Sequence, residues 1–311
     1  MENLERITLK TKGVGNDDRL LTSVVFDEAS TSTSVTSQGQ TAEVSTFAGH
    51  LLTWRNEQNQ DYLFLSKNAV FQPPKAIRGG VPICFPQFSN FGHLTQQHGF
   101  VRNKTWKLVD KSDWSVTLSL SYDGTEFPDY PHPFELRTRV ELCDDNLEQH
   151  LEVTNTGSSP MPFTAALHTY YAVSDISNVK VEGLKGLAYL DSTDGRLEKR
   201  EEEEAVVFTG EVDRIYMKAP DVIKIHDSGA PSGPRTYEIR KRGFPDAVLW
   251  NPAAERAAAM SDLGDPEWRR MVCLEPGLVV SDPVELAAGA TWIASQSLRV
   301  HHNSGATAAA L

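Results

Sequence analysis

Apolar residues recur with a two-residue period along much of the chain. In residues 115–121, SVTLSLS, Val116, Leu118 and Leu120 fall on one side and hydroxyl residues on the other. Residues 134–142, FELRTRVEL, repeat the pattern with Phe134, Leu136, Val140 and Leu142. Residues 150–154 continue it with Leu151 and Val153, and it stops at the turn NTGSSP. Side chains alternate across a strand, so this pattern gives one face to a core and one to water. Shorter runs at 179–181, 206–208, 222–225, 236–239, 247–250, 271–274 and 292–298 read as further strands. Turn residues separate nearly all of them, which fits antiparallel sheet and not βαβ units. Helical signal is sparse. PAAERAAAM, 252–260, has proline at a plausible first position and strong helix formers after it. DPEWRRM, 265–271, offers an aspartate cap, a proline and an acid in its first turn. The serine- and threonine-rich stretch 27–44 is expected to span two early strands and a loop. No linker or internal repeat marks a boundary. The expectation is all-β: one domain over 1–311, a large sandwich of two face-to-face sheets, with a fraying polar tail from about 301 to 311.

Composition narrows the function more than the fold. The chain has 311 residues, 40% apolar and 23% charged, enough for a sizeable core. Its net charge of −12 repels nucleic-acid phosphates, so no nucleic-acid partner is expected. No apolar run approaches the roughly 20 residues of a membrane helix, and the N-terminus lacks the apolar core of a secretion signal. Cys84, Cys143 and Cys273 are odd in number, form no C-x-x-C pair and sit in apolar surroundings. Buried reduced thiols in a cytoplasmic protein are the expected state. The acidic run 201–204 reads as a solvated loop, because like charges repel.

In so acidic a chain, a local gathering of arginines suggests an anion site. Arg78 precedes Gly79-Gly80 in RGGVPICFPQF, and Arg102 follows His98-Gly99-Phe100 in QQHGFVRNKTW. Guanidinium forks match phosphate and carboxylate, and glycines permit tight turns or close ligand approach. His98 and His168 lie in turn-like or strand-end contexts and titrate near neutrality; surface ion pairs and structural imidazoles remain the plainer readings. His132, in YPHPF, reads as part of a rigid proline turn. Glu275 ends an apolar run in MVCLEPG, a position that raises a carboxyl pKa. Asp191 ends another apolar stretch, GLAYLDS, and is weak alone. The spacing of Cys84, His93 and His98 matches no metal motif, and no metal site is expected. The G-x-S-x-G elbow, the P-loop and G-x-G-x-x-G are absent, so no nucleotide cofactor is expected.

Taken together, AIRGGVPICFPQF, QHGFVRNKTW, ALHTYY, GLKGLAYLDS, DAVLWNP and MVCLEPG, spread in order from about 41 to 297, resemble the glucose-6-phosphate 1-epimerase group of the aldose 1-epimerase family. Plant-type members are the most similar. The resemblance implies a galactose mutarotase-like β-supersandwich. It implies interconversion of the α and β anomers of a hexose 6-phosphate, without cofactor, by a monomer. By the family pattern His168 is the general acid and Glu275 the general base. Arg78, Gln97, His98 and Arg102 become substrate contacts, and Asp191 a sugar-hydroxyl partner. Ala253 and Ser89 depart from the family pattern at an aromatic and a glycine, which bears on loop shape and substrate preference. Three rivals stand beside this reading: a mutarotase for unphosphorylated sugars, a carbohydrate-binding protein without chemistry, and a glycosidase using Asp191 with Glu275.

Overall fold

The computed structural model describes residues 6–10, 35–37, 39–143, 145–280 and 284–302. Two antiparallel sheets dominate. The nine-stranded sheet runs, in spatial order, Ala205–Val206, Val179–Glu182, Val222–Asp227, Arg235–Arg242, Thr291–His302, Asn146–Asn155, Phe134–Cys143, Ser115–Tyr122 and Lys107–Lys111. The eight-stranded sheet runs Leu197–Arg200, Ala188–Asp191, Val212–Tyr216, Asp246–Asn251, Met271–Leu278, Ala165–Leu167 and Ile83–Cys84. Tyr170–Ala172 is its eighth strand and also pairs with Met271–Leu278. A smaller sheet joins Arg6–Lys10, Val35–Ser37, Gln40–Ser45 and His50–Arg55, and Met161–Phe163 pairs with Val284–Leu286.

The alternating residues form the core, as their period requires. Leu118, Leu136, Val140, Leu151, Val153 and Leu298 from the larger sheet share one cluster with Leu167, Val212, Ala247, Leu249, Val272 and Leu274 from the other. Burying one such leucine contributes roughly 1.5–3 kcal/mol. The two sheets thus face one another across a shared core, as the expected sandwich requires.

Several local expectations shift. Strand 206–208 shrinks to Ala205–Val206, and Val207 is exposed. The run at 292–298 lengthens to Thr291–His302, so His301 and His302 belong to the sheet and not to a tail; 303–311 lie outside the described residues. Of the stretch 27–44, the strands Val35–Ser37 and the start of Gln40–Ser45 are seen, while 27–34 and 38 lie outside the described residues. Residues 252–260 yield the helix Ala253–Ala258, but 265–271 make only a 3-10 turn, Glu267–Arg270. Asp265 does not cap that turn. Glu267 instead accepts the Gly264 N–H at 3.0 Å and the Ser66 hydroxyl at 2.8 Å, tying the turn to a distant loop. The acidic run is solvated only in part: Glu201 is buried, accepting from Arg214 and Tyr216 at 2.8 and 2.7 Å. No helix among the described residues is long and apolar enough to cross a membrane.

Candidate active site

The strand Met271–Leu278 is buried on both faces. Its even-numbered residues Val272 and Leu274 face the inter-sheet core, so Met271, Cys273 and Glu275 face the opposite side. Glu275 therefore lies inside a strand and not at its end. Pro276, which reads as a terminator, is paired within the sheet opposite Ala247. On one side Glu275 is opposite Val248 and Cys273 opposite Trp250. On the other, Ala165–Leu167 and Tyr170–Ala172 keep a single register against this strand, with Ala165 opposite Leu278 and Tyr170 opposite Cys273. That register sets His168 opposite Glu275, although the two are far apart in sequence. The His168 N–H donates to Pro82 O at 2.9 Å, and Thr169 Oγ1 donates to the buried Gln296 Oε1 at 2.9 Å. The turn is thus fixed from both sides.

His168 Nδ1 stands 3.2 Å from Glu275 Oε1, in contact but not aligned as a hydrogen bond. The imidazole stacks flat on Tyr170, 4.8 Å between centroids, and meets the Trp250 ring edge-on at 5.8 Å. Burial drives the Glu275 carboxyl well above its usual range. Asp213 adds to that, and the Arg102 charge opposes it. Burial also drives His168 well below an ordinary histidine, with His98, Arg78 and Arg102 pushing the same way. Both shifts disfavour charge, so burial moves a proton shared by the pair toward Glu275 and away from His168.

Above this pair lies a cavity of about 540 Å³, lined among others by His168, Glu275, Arg78, Gln97, His98 and Arg102. The glycine-broken segment forms one wall, and its glycines serve the backbone. Gly80 has φ +59°, and a Cβ there would lie 2.3 Å from Leu51 O; Gly99 has φ +71°, and its Cβ would lie 2.0 Å from Phe85 O. They permit chain to pass against chain, while the ligand-facing groups are their neighbours. His98 itself is left-handed at φ 63°. The loop behind it is laced by Gln87, whose Nε2 donates to Ser89 O, Leu94 O and Gln96 O at 2.9–3.3 Å.

His98 Nδ1 accepts the Ser89 backbone N–H at 3.2 Å and contacts Cys84 Sγ at 3.3 Å. Burial, then Arg102 and Arg78, holds this ring well below the ordinary histidine pKa. It is therefore neutral, with its proton on Nε2 as a donor. The two arginines differ. Arg78 donates to Tyr170 Oη at 2.8 Å and to Asp262 Oδ2 at 3.2 Å, so its charge is already paired. Arg102 donates to Gln97 O at 2.6 Å and makes no ion pair among the described residues; its Nε is buried without a partner. An unpaired guanidinium in a cavity wall is a costly state that an anion relieves.

Asp191 does not line the cavity. Its carboxylate accepts from Lys199 at 2.8 Å and from Thr193 Oγ1 at 2.6 Å, and it caps the turn Ser192–Asp194. The cavity carboxylate on this side is Asp213, one strand over, held by Ser192 and raised in pKa chiefly by burial. Val212 and Tyr216 face the core, which sends Asp213 and Ile215 outward with Val248 and Trp250. The alternation in VDRIY, 212–216, was the available signal for Asp213. Arg196 and Arg256 also line the cavity; Arg196 stacks on Phe91 at 4.2 Å. His93 is exposed and lies apart from the Cys84–His98 contact.

A buried histidine–glutamate contact beneath a cavity of about 540 Å³, on one face of a large antiparallel sandwich, fits the class of carbohydrate-converting isomerases. Residues 32–299 match the aldose 1-epimerase family, and the chain belongs to that family. It is 41% identical, over 81% of its length and 78% of the relative's, to a Cenchrus ciliaris protein provisionally named a glucose-6-phosphate 1-epimerase. A Salmonella typhimurium protein with the same provisional name is 33% identical, over 73% of this chain and 76% of that one. The crystal structure of a Salmonella typhimurium protein provisionally described as a mutarotase superposes with a TM-score of 0.75 at 29% identity, covering 85% of this chain and 88% of that one. An Escherichia coli structure provisionally described as an aldose 1-epimerase shares the fold, with a TM-score of 0.70 at 14% identity over 96% and 99% of the chains.

Proposed function

We propose that this protein interconverts the α and β anomers of a hexose 6-phosphate, chiefly glucose 6-phosphate, as a single cytoplasmic, monomeric domain spanning 1–311. The observation that carries the reading is the His168–Glu275 contact of 3.2 Å at the base of a cavity whose wall holds the unpaired Arg102 guanidinium. Anomer exchange needs the O1 proton removed while the ring oxygen gains one. With carboxylate at Glu275 and imidazolium at His168, Glu275 takes the O1 proton and His168 protonates the ring oxygen. The C1–O5 bond breaks and the open aldehyde forms. The proton now on Glu275 matches the state that burial favours there. Rotation about C1–C2 presents the other face of the carbonyl, and closure reverses both transfers. Since both forms of the pair carry one proton, the cycle needs none from solvent.

The remaining contacts follow from what each group offers. His98 Nε2–H donates to a sugar oxygen beside the reacting centre. Asp213 accepts from a ring hydroxyl, the role first assigned to Asp191. Ile215, Val248 and Trp250 give an apolar surface for one face of the pyranose. Arg102 receives the phosphate, with Gln97 at the rim and Arg78, anchored on Asp262, contributing field more than contact. Arg102 favours a phosphorylated sugar over a free one, and the acid–base pair favours an enzyme over a binding protein. The relatives named for glucose 6-phosphate lend support to the same substrate.

Glu275→Gln tests the chemistry. It is expected to lower enzyme-catalysed anomer exchange of glucose 6-phosphate, followed by magnetisation-exchange NMR, by about 10²–10⁴-fold. A rate near wild type in a folded variant removes Glu275 as the base.

A further inference from the structure

Three donor groups from two segments distant in sequence meet beneath the cavity. A His168 ring nitrogen, Cys273 Sγ and a Glu275 carboxylate oxygen lie within 4.8 Å of one another, and all three residues are buried. Cys273 and Glu275 share one face of their strand as alternate residues, and His168 faces them from the neighbouring strand. Proton transfer accounts for the histidine and the glutamate. It has no use for the thiol.

Two observations point to a ligand here. His168 Nδ1 and Glu275 Oε2 are buried with no hydrogen-bond partner in the protein, a state costing about 1–3 kcal/mol for each group. The donor set is one nitrogen, one sulfur and one oxygen. Three protein ligands of these types with a fourth position open is the arrangement of many zinc sites. We infer that a thiophilic divalent cation, with Zn²⁺ and Cd²⁺ as the type, binds to His168, Cys273 and Glu275, and inhibits anomer exchange by occupying the acid and the base.

The fit requires only side-chain movement. Ligands at about 2.0–2.3 Å from a tetrahedral ion lie roughly 3.3–3.7 Å apart. His168 and Glu275 are already 3.2 Å apart, so the thiol must close by about 1 Å. The balance is neutral. Cys273 enters as a thiol and the acid–base pair carries one proton; both protons leave to solvent. Thiolate, carboxylate and neutral imidazole then surround a dication, and water completes its shell.

Binding of the cation stands apart from the substrate assignment, whereas inhibition of anomer exchange rests on it. The experiment uses the full chain freed of metal with EDTA. Cd²⁺ is titrated while the ultraviolet thiolate-to-cadmium charge-transfer band is read, and Zn²⁺ is titrated into the glucose 6-phosphate exchange assay. The expected result is a saturable band of one equivalent in the wild type and in Cys143→Ser. The band is lost in Cys273→Ser, which keeps its basal rate and needs at least about tenfold more Zn²⁺ for half-inhibition. Cys273→Ala gives a second reading should the serine variant misfold. No band in the wild type overturns the inference. So does a band that survives in the Cys273 variants but disappears in Cys84→Ser, which assigns the metal to Cys84 and His98. A Cys273-dependent band that saturating glucose 6-phosphate fails to displace upholds the metal site and counts against the proposed substrate.

Discussion

Arg102→Ala separates phosphate recognition from sugar chemistry. The wild-type guanidinium has one N–H on Gln97 O and no carboxylate partner among the described residues. Arg78, by contrast, is held by Tyr170 and Asp262. Of these two arginines, Arg102 is the one without a carboxylate partner among the described residues and so the one open to a phosphate oxygen. A charge-assisted hydrogen bond contributes about 1.5–3 kcal/mol, and each 1.4 kcal/mol is tenfold, so kcat/KM for glucose 6-phosphate is expected to fall roughly 10–150-fold. The same arginine also lowers the Glu275 pKa and opposes protonation of His168. Its removal thus shifts the rate on every sugar, and the decisive quantity is the ratio of glucose 6-phosphate to glucose activity in the variant against that in the wild type. Magnetisation-exchange NMR on both sugars supplies it. Arg102→Lys, which keeps the charge and loses the planar fork, is expected to fall between. An Arg102→Ala variant that slows both sugars by the same factor refutes the phosphate assignment.

Asp213→Asn is expected to reduce exchange about tenfold or more, while Asp191→Ala changes the rate little and lowers stability through its turn cap by about 1 kcal/mol; steady-state kinetics beside urea melts tells these apart. His50 is buried and donates its Nε2–H to Gly79 O at 2.8 Å, and burial pushes its pKa down from 6.5 to about 4. Its folded pKa is below its unfolded one, so its contribution is full above pH 6.5 and is lost as pH falls toward 4, by about 1.4 kcal/mol per unit. Urea titrations across that window are expected to show this loss, and His50→Gln to flatten it. Gly99→Ala forces a Cβ against Phe85 O at a left-handed φ, and is expected to cost about 2–3 kcal/mol of unfolding free energy in urea melts and to slow exchange by moving His98.

The sandwich was legible because its strands carry their burial in a local period. Leu118, Leu136, Val140, Leu151 and Val153 needed only their neighbours in sequence to declare a core face. Where local signals misled, a distant contact had intervened. Asp265 looked like a cap, but Glu267 is the carboxylate that reaches Ser66. Glu201 looked solvated as part of an acidic run, but Arg214 and Tyr216 draw it inside. Pro276 looked like the end of a strand that in fact carries Glu275 through the centre of a sheet. The tail expected from His301 began within a strand paired to Arg235–Arg242.

The amino-acid order by itself determined the antiparallel architecture, the acidic surface charge and the set of residue types available for acid–base chemistry and anion binding. It did so because alternation, charge and donor chemistry are properties of single residues and short windows. Only the tertiary structure decided which of them meet. Strand register set His168 opposite Glu275 and brought Cys273 beside them. Pairing also decided that Asp262 neutralises Arg78 and leaves Arg102 free, and that Asp213 faces the cavity while Asp191 turns to Lys199. Those outcomes depend on which strands are neighbours, and hydrogen-bonded register between segments a hundred residues apart leaves no mark within either segment.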